Sequence, residues 1–326
     1  MGMMNVDKEN FFEGKKIVVT GGCGFIGSHL VEALINLKAE VVVIDNLSSG
    51  KVENLNSVRK NVQVINGDIQ KAKTIEKAGD FEILFNEAAM SLIPSFRYPF
   101  SDLCVNAGGL INILEVARKN DAKIVHASSG SVYGNPKYMP ITEEHPTRPI
   151  SPYAVSKLAA EYYASLYLQL YDLDITCLRY FNVYGPRQRI SEETGVIPIF
   201  ISRILSKEPL SIFGDGLQTR DFLHVSDCVQ ANLLAALSKS GKGDPINIGG
   251  KGYEVSILDL ARLLMKLINQ EVPINFKDPK PGDIRRLMAD ISKARTKLGY
   301  DPKISLDEGL SNYIQYIIGN NVGLSK

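Results

Sequence analysis

Short continuous apolar runs alternate with stretches of helical spacing over the first half of the chain. "KKIVVTGG" (15–22) predicts a buried strand running into glycines, and "FIGSHLVEALINL" (25–37) has the 3.6-residue apolar period of a helix. Further strands are predicted at 40–46, 62–68, 81–89, 122–129 and 174–181, with helices over 108–120 and 153–172. Strands that are apolar on both faces and alternate with helices predict a parallel sheet covered on both sides, a doubly wound α/β fold. After residue 181 the loops grow richer in Gly, Pro and charge, as in "YGPRQRISEETG" (184–195) and "FGDGLQTRD" (213–221). A strand at 244–250 and a helix near 256–269 follow. The expected organisation is a domain over 1–180 to which 222–249 returns, and a smaller C-terminal α/β lobe from 181–221 and 250–326.

Composition narrows the function classes. The chain has 326 residues, 44% hydrophobic and 22% charged, and its 37 Lys plus Arg against 36 Asp plus Glu leave a net charge of +1. No block of like charge offers a footprint for nucleic acid or anionic lipid, so neither is expected as a partner. Cys23, Cys104, Cys177 and Cys228 stand far apart with no CxxC pair, which predicts free thiols, no metal site and a reducing, cytoplasmic setting. The N-terminal "MGMMNVDKENFFEGKK" lacks the apolar core of a signal peptide, and Val6 rules out a myristoylation start. No apolar run approaches bilayer length, so no membrane association is expected.

The turn after the first strand, "TGGCGFIGSHL", places Gly21, Gly24 and Gly27 as GxxGxxG at the entrance to a helix. Such a turn lets a pyrophosphate approach the backbone and face the helix N-terminal amides, which points to a Rossmann-type dinucleotide site. Asp45 ends the second strand 18 residues after Gly27, where an acid accepts from an adenosine ribose and repels a 2′-phosphate. "DNLSSGK" brings no arginine beside it, so NAD is favoured over NADP. Asp68 ends the third strand near the adenine position, where a turn aspartate is nearly as good a reading.

Tyr153 and Lys157 of "SPYAVSK" stand at i and i+4 and face one way on a helix. An ammonium beside a phenol is expected to lower a pKa that is ordinarily about 10. A tyrosine so placed can accept a hydroxyl proton as hydride leaves the same carbon.

With "SSGSVYG" (128–134), these motifs resemble the extended short-chain dehydrogenase/reductases, within them the UDP-glucose 4-epimerase-like enzymes of the NAD-dependent epimerase/dehydratase family. The resemblance covers Lys15 to Leu310 through "TGGCGFIGSHL", "DNLSSGK", "SSGSVYGNPKYMPITEEHP", "SPYAVSKLAAE", "RYFNVYGPRQ", "FGDGLQTRDFLHVSD" and "KPGDIRRLMADISKA". It implies that Ser129 holds the reacting sugar hydroxyl, that Tyr153 is the acid–base group and that Lys157 holds the nicotinamide ribose. It places Asn106 behind the active site and Asn182 on the diphosphate of a UDP-sugar. Arg220 and Arg285 are implied as phosphate or nucleotide contacts, with Ile212 and Phe213 flanking the base and Val196 and Asp283 completing the substrate set. On the cofactor it adds Phe25, Ile26, Asn46, Ser49, Gly50, Ile69, Ala88, Ala89 and Tyr180. Two departures stand out: Asn86 and Glu87 open "NEAA" where relatives often have His-x-Ala-Ala, and Lys280 replaces an arginine in "KPGD".

Dehydratases of this family carry an Asp-Glu pair just before the "VYG" turn, where this chain has Gly130 and Ser131. Without that acid the expected chemistry is reversible C4 epimerisation with tightly bound NAD, and UDP-glucose/UDP-galactose is the leading pair. Leu287 matches a position that gates N-acetylated sugars, so UDP-N-acetylhexosamine and UDP-uronate stay open. A decarboxylase or dehydratase with Glu87 or Glu143 as displaced acid, and a non-catalytic NAD-binding regulator, are the other readings. Helices 108–120 and 153–172 are expected to form a homodimer, against the alternative that "YYASLYLQLY" packs only on the sheet.

Overall fold

The computed structural model describes residues 10–191, 194–279 and 284–320. Strands β1 (Lys16–Thr20), β2 (Glu40–Asp45), β3 (Val62–Asn66), β4 (Ile83–Asn86), β5 (Lys123–Ser129) and β6 (Ile175–Tyr180) precede four short ones. Those are β7 (Asn182–Tyr184), β8 (Leu210–Phe213), β9 (Thr219–His224) and β10 (Pro245–Ile248). Seven strands form one parallel sheet in the order β10-β6-β5-β4-β1-β2-β3. The order reverses direction between β1 and β4, which opens a crevice at the carboxyl ends of the strands.

Both faces of the sheet's centre are buried because its strands carry continuous apolar runs, as in "IVV" of β1 and "VVVI" of β2. Helix α1 (Phe25–Asn36) covers one face. Helices α2 (Leu92–Arg97), α3 (Pro99–Asn120) and α4 (Pro152–Tyr171) lie toward the other. Ser151 caps α4 by accepting from the Ala154 amide at 3.2 Å, and Asp172 ends it in the left-handed region at φ 55°. α3 begins nine residues before the predicted 108–120 and contains a π turn at Cys104–Gly108. α3 is long and apolar enough to cross a membrane by length and composition, yet half of that span is buried within the protein.

In the stretch expected to return to the large sheet, 222–249, only Pro245–Ile248 joins it as a strand, beside β6. Residues 222–224 belong to β9 in a smaller sheet, where β9 pairs with β7, with β11 (Glu254–Ser256) and with a two-residue strand at Arg286–Leu287. The helix α6 (Val225–Leu237), which follows α5 (Val196–Leu205), then packs on α1. A third core gathers α5, α7 (Ile257–Ile268), β8 and the C-terminal helix Leu306–Asn320 around Phe200, Leu260 and Tyr313.

Candidate functional site

Two clefts lie on either side of α2, the first at the carboxyl ends of the large sheet and the second against the small sheets that follow it. The first, of 540 Å³, is lined by Gly21, Gly24, Phe25, Ile26 and Gly27 from the turn after β1, and by Asp45, Asn46 and Ser49 after β2. Asp68 and Ile69 after β3, and Glu87, Ala88 and Ala89 after β4, complete its floor. The glycine turn closes on itself: a Cβ on Gly27 would stand 2.3 Å from the Gly21 carbonyl oxygen, and Gly21 adopts φ 68°. No side chain caps α1 and no acid occupies its first turn, so its amides are left for an anion in the cleft. Asp45 is buried, and its two oxygens accept from the Cys23 and Leu47 amides at 2.9 and 2.8 Å. Gly50 backs this arrangement without lining the cleft, since a Cβ there would touch the Asp45 carboxylate at 2.9 Å. Asn46 donates to Asp68 at 3.1 Å, which ties the two acidic strand ends together. An uncapped helix end, a glycine cradle and a strand-end acid fit a dinucleotide's pyrophosphate and ribose.

Ser129, Tyr153 and Lys157 converge beside that cleft. Ser129 ends β5, and its oxygen accepts from the Ser131 amide at 3.2 Å and bonds Tyr153. Tyr153 opens α4, which Ser95 of α2 pins by accepting the Tyr153 amide at 3.2 Å. Lys157 is fully buried and donates to the Ala127 carbonyl at 2.7 Å, with Nζ 5.9 Å from the centre of the Tyr153 ring. The expected lowering of the tyrosine pKa is not what these residues produce on their own. Burial pushes the Tyr153 phenol up to about 12; its bond with Ser129 pulls down, while the charges of Asp102 and Glu87 push up again. Burial likewise pulls Lys157 down to about 8, opposed by the Glu87 and Asp102 carboxylates.

Asn106 lies in the π turn of α3, outside the cleft. It accepts from the Met90 amide at 3.0 Å and donates to Asp102 and Ser156 at 2.8 and 3.0 Å, bracing α4 one residue before Lys157. Asn86 occupies the position of the missing histidine and faces the interior. It accepts from Thr20 at 2.6 Å and donates to His126 Nδ1 at 3.0 Å, joining β1, β4 and β5. Burial holds His126 neutral, well below its ordinary pKa, and the Asn86 amide donating to Nδ1 makes that nitrogen the acceptor. Glu87 turns toward the cleft. It accepts from the Tyr180 hydroxyl at 2.8 Å, and burial raises its carboxyl to about 7 despite that bond and the Lys157 charge. Tyr180 itself does not line the cleft.

The second cleft, of 420 Å³, is lined by Asn182, Val196, Ile212, Phe213 and Arg220 together with Leu92 and Phe96 of α2. Asn182 donates to the Asp221 carbonyl at 3.1 Å, and Arg220 donates to the Thr219 and Ile284 carbonyls at 2.9 and 2.7 Å. Arg285 lies further out in a bidentate pair with Asp215, at 2.6 and 3.0 Å. Leu287, expected as a sugar gate, is buried beside Arg220 in the small sheet and lines neither cleft. Asp283 and Lys280 lie outside the described residues. Sequence reasoning missed the α2 segment, whose Met90, Ser91 and Pro94 line the first cleft while Leu92 and Phe96 line the second. It also missed Arg189, which reaches the first cleft from the charged loop after β7.

A parallel sheet with a glycine cradle and a Ser–Tyr–Lys set side by side at the carboxyl ends of its strands defines a dinucleotide-dependent enzyme of the short-chain dehydrogenase/reductase class. The family model described as GDP-mannose 4,6 dehydratase matches residues 18–313, and the chain belongs to this NAD-dependent epimerase/dehydratase family. A putative UDP-glucose 4-epimerase of Methanocaldococcus jannaschii is 42% identical over 94% of this chain and 99% of its own. The structure of UDP-glucose 4-epimerase from Thermotoga maritima with UDP-glucose superposes with a TM-score of 0.89 at 39% identity, covering 94% of this chain and 99% of that one. UDP-N-acetylglucosamine 4-epimerase from Methanobrevibacter ruminantium, in complex with UDP-N-acetylmuramic acid, matches at 0.89 and 36%, with the same coverage.

Proposed function

We propose that the chain is a UDP-sugar 4-epimerase that works on the UDP-glucose/UDP-galactose pair with tightly held NAD. The observation that carries this reading is the surroundings of the Ser129–Tyr153 contact. Gly130 and Ser131 offer no acid there, and Gly130 is backed by the Phe181 ring, which a Cβ would meet at 2.9 Å. Glu143 is occupied elsewhere, accepting from the Asn247 amide at 2.8 Å. Elimination or decarboxylation needs an acid–base group at a further sugar carbon; C4 inversion needs only the tyrosine.

Gly21, Gly24, Gly27 and Asp45 would hold the dinucleotide, with Ser49, Asp68, Ile69, Ala88 and Ala89 beside it. When bound, NAD supplies the hydride acceptor and donor for sugar C4 and a second positive charge near Tyr153. Ser129 orients the C4 hydroxyl. Tyr153 would give up its own proton to solvent once the dinucleotide's positive charge and the Lys157 ammonium stand beside it, and as phenolate it would take the C4 hydroxyl proton and return it after the 4-keto sugar has turned over. Asn182, Arg220 and the Val196 end of α5 hold the nucleotide diphosphate at a distance, so the sugar is free to rotate. The protein is proposed to act as a homodimer through α3 and α4.

The test is to incubate the protein and NAD with UDP-galactose, UDP-glucose, UDP-N-acetylglucosamine and UDP-glucuronate and follow the products by NMR. Inversion at C4 of UDP-galactose is expected. Inversion of another sugar alone would move the substrate assignment, and no inversion of any would remove the epimerase reading. A second reading, dehydration or decarboxylation, rests on the Glu87 carboxylate in the cleft, and its signature would be a 4-keto-6-deoxy or pentose product.

A further inference from the structure

Glu87 is the first residue after β4, where the chain leaves the sheet and enters the first cleft. Three carboxylates line that cleft among the described residues: Asp45, Asp68 and Glu87. Asp45 and Asp68 follow β2 and β3 on the outer side of the glycine turn, the half that takes the adenosine. Glu87 stands on the other side, toward the ends of β5 and β6, where Ser129 and Tyr180 are cross-strand partners. The nicotinamide half of the dinucleotide must lie there, beside Tyr153 and Lys157.

The carboxylate is fixed in direction. The Tyr180 hydroxyl donates to Glu87 at 2.8 Å and is itself held by the side-chain amide of Asn232 on α6, whose Nδ2 and Oδ1 lie 2.7 and 3.0 Å away. The Glu87 amide donates to the Thr20 carbonyl at 3.1 Å, and its carbonyl carbon lies 2.8 Å from where a Gly21 Cβ would be, so the backbone is held as well. A nicotinamide ring is cationic when oxidised and neutral when reduced. The buried Lys157 ammonium therefore disfavours the oxidised ring, and a nearby carboxylate offsets it.

We infer that Glu87 sets the redox poise of the bound dinucleotide, its tyrosine-anchored carboxylate favouring the oxidised over the reduced nicotinamide and countering Lys157. An enzyme that must hand hydride back in every cycle needs this balance, because a dinucleotide left reduced after losing the keto sugar would be stranded. The inference rests on dinucleotide binding and is independent of which sugar turns over. It makes the preference depend on pH. The groups facing Glu87 are Tyr180 of β6, Lys157 and Tyr153 of α4 and Cys228 of α6. In the protein chain alone, burial holds Tyr153, Tyr180 and Cys228 protonated and brings Lys157 down only to about 8, so Glu87 with its raised value is the group in this set that changes charge between mildly acidic and neutral pH.

The test measures dissociation constants for NADH and NAD⁺ separately, by fluorescence and calorimetry, with no sugar present. Glu87→Gln should lower the NADH-to-NAD⁺ ratio of dissociation constants about tenfold, equivalent to a rise of ~30 mV in the potential of this two-electron couple. Glu87→Asp, which keeps the charge, should restore most of the ratio. In the unsubstituted protein the ratio should fall by a similar factor from about pH 7.5 to about pH 5.5, because the carboxylate is protonated there. An unchanged ratio in folded Glu87→Gln, or equal weakening of both dinucleotides, overturns the inference. Should that variant not fold, a pH-independent ratio in the unsubstituted protein overturns it equally. An epimerase assay that failed would leave this result untouched.

Discussion

Arg179 and Glu161 form a bidentate ion pair in the interior, with Nε to Oε1 at 2.8 Å and Nη2 to Oε2 at 2.6 Å. The pair serves the active-site turn from behind. Glu161 also accepts from Ser128 at 2.5 Å, and Arg179 donates to the Tyr133 hydroxyl at 2.7 Å, so both ends of the segment around Ser129 are clamped. Tyr133 passes the chain on to Asn247 of β10 at 2.7 Å.

Replacing Arg179 by Met should therefore cost both stability and turnover. Glu161 would be left as an unpaired buried charge, worth about 3–5 kcal/mol in urea denaturation. Arg179→Lys keeps the charge but loses the fork, and should recover part of the stability. In that variant kcat should fall more than NAD affinity, since the clamp reaches Ser129 and not the glycine turn. A variant with normal stability and normal kcat would show that the clamp is dispensable.

Tyr153→Phe removes the acid–base oxygen and leaves the backbone amide bond to Ser95 that pins the start of α4. Turnover should drop by about 10²–10⁴-fold, the usual worth of a positioned proton-transfer group, while NAD binding persists. Single-turnover NMR with UDP-galactose checks the first part and calorimetry the second. Retained turnover would mean that the proton leaves by another route.

How far these features were legible in the sequence depends on how local they are. The glycine turn, Asp45 and the Tyr153–Lys157 pair follow from short spacings, and the helix and strand periods place them at the correct ends of the sheet. The direction of the tyrosine's pKa is not local. It is set by burial and by Asp102 and Glu87, which stand far from it in the chain and reach it only through the packing of α3 and β4. Leu287 lies away from both clefts, and its place beside Arg220 is equally unreadable because a two-residue strand gives no periodicity. Leu92 and Phe96 stand out only once α2 is seen to run between the clefts.

Stability should carry a pH dependence from Asp221. This carboxyl is buried, accepts from the Gly250 amide at 3.2 Å, and burial raises it from an ordinary 3.8 to about 7. A raised acid binds its proton more tightly in the folded state, so its contribution is fully present below its ordinary value and is lost as pH rises through about 7. Asp221→Asn should remove that slope. The stability difference between the variant and the unsubstituted protein should move by ~3 kcal/mol in the variant's favour from about pH 4.5 to about pH 7.5. Thermal unfolding across that range checks it, and parallel curves would assign the slope to other groups such as Glu87.

The outer face of α3 and α4 leads to the last expectation. Tyr162, Leu166 and Leu170 recur every four residues along α4 and are 66%, 43% and 60% exposed, and Phe100 at the start of α3 is 77% exposed. The two helices are already tied to each other, Tyr167 donating to Glu115 at 2.5 Å and Arg118 lying 4.9 Å from the Tyr171 ring centre. In the proposed homodimer these exposed apolar side chains would be covered by the same face of a second copy across a two-fold axis. Because these side chains touch little within one chain, the double substitution Tyr162→Glu with Leu166→Glu should leave the fold intact while placing like charges at the contact. Light scattering is expected to give a dimer for the unsubstituted protein and a monomer for the variant, with unchanged circular dichroism. A monomeric unsubstituted protein at micromolar concentration would show that the stripe is not a self-association surface.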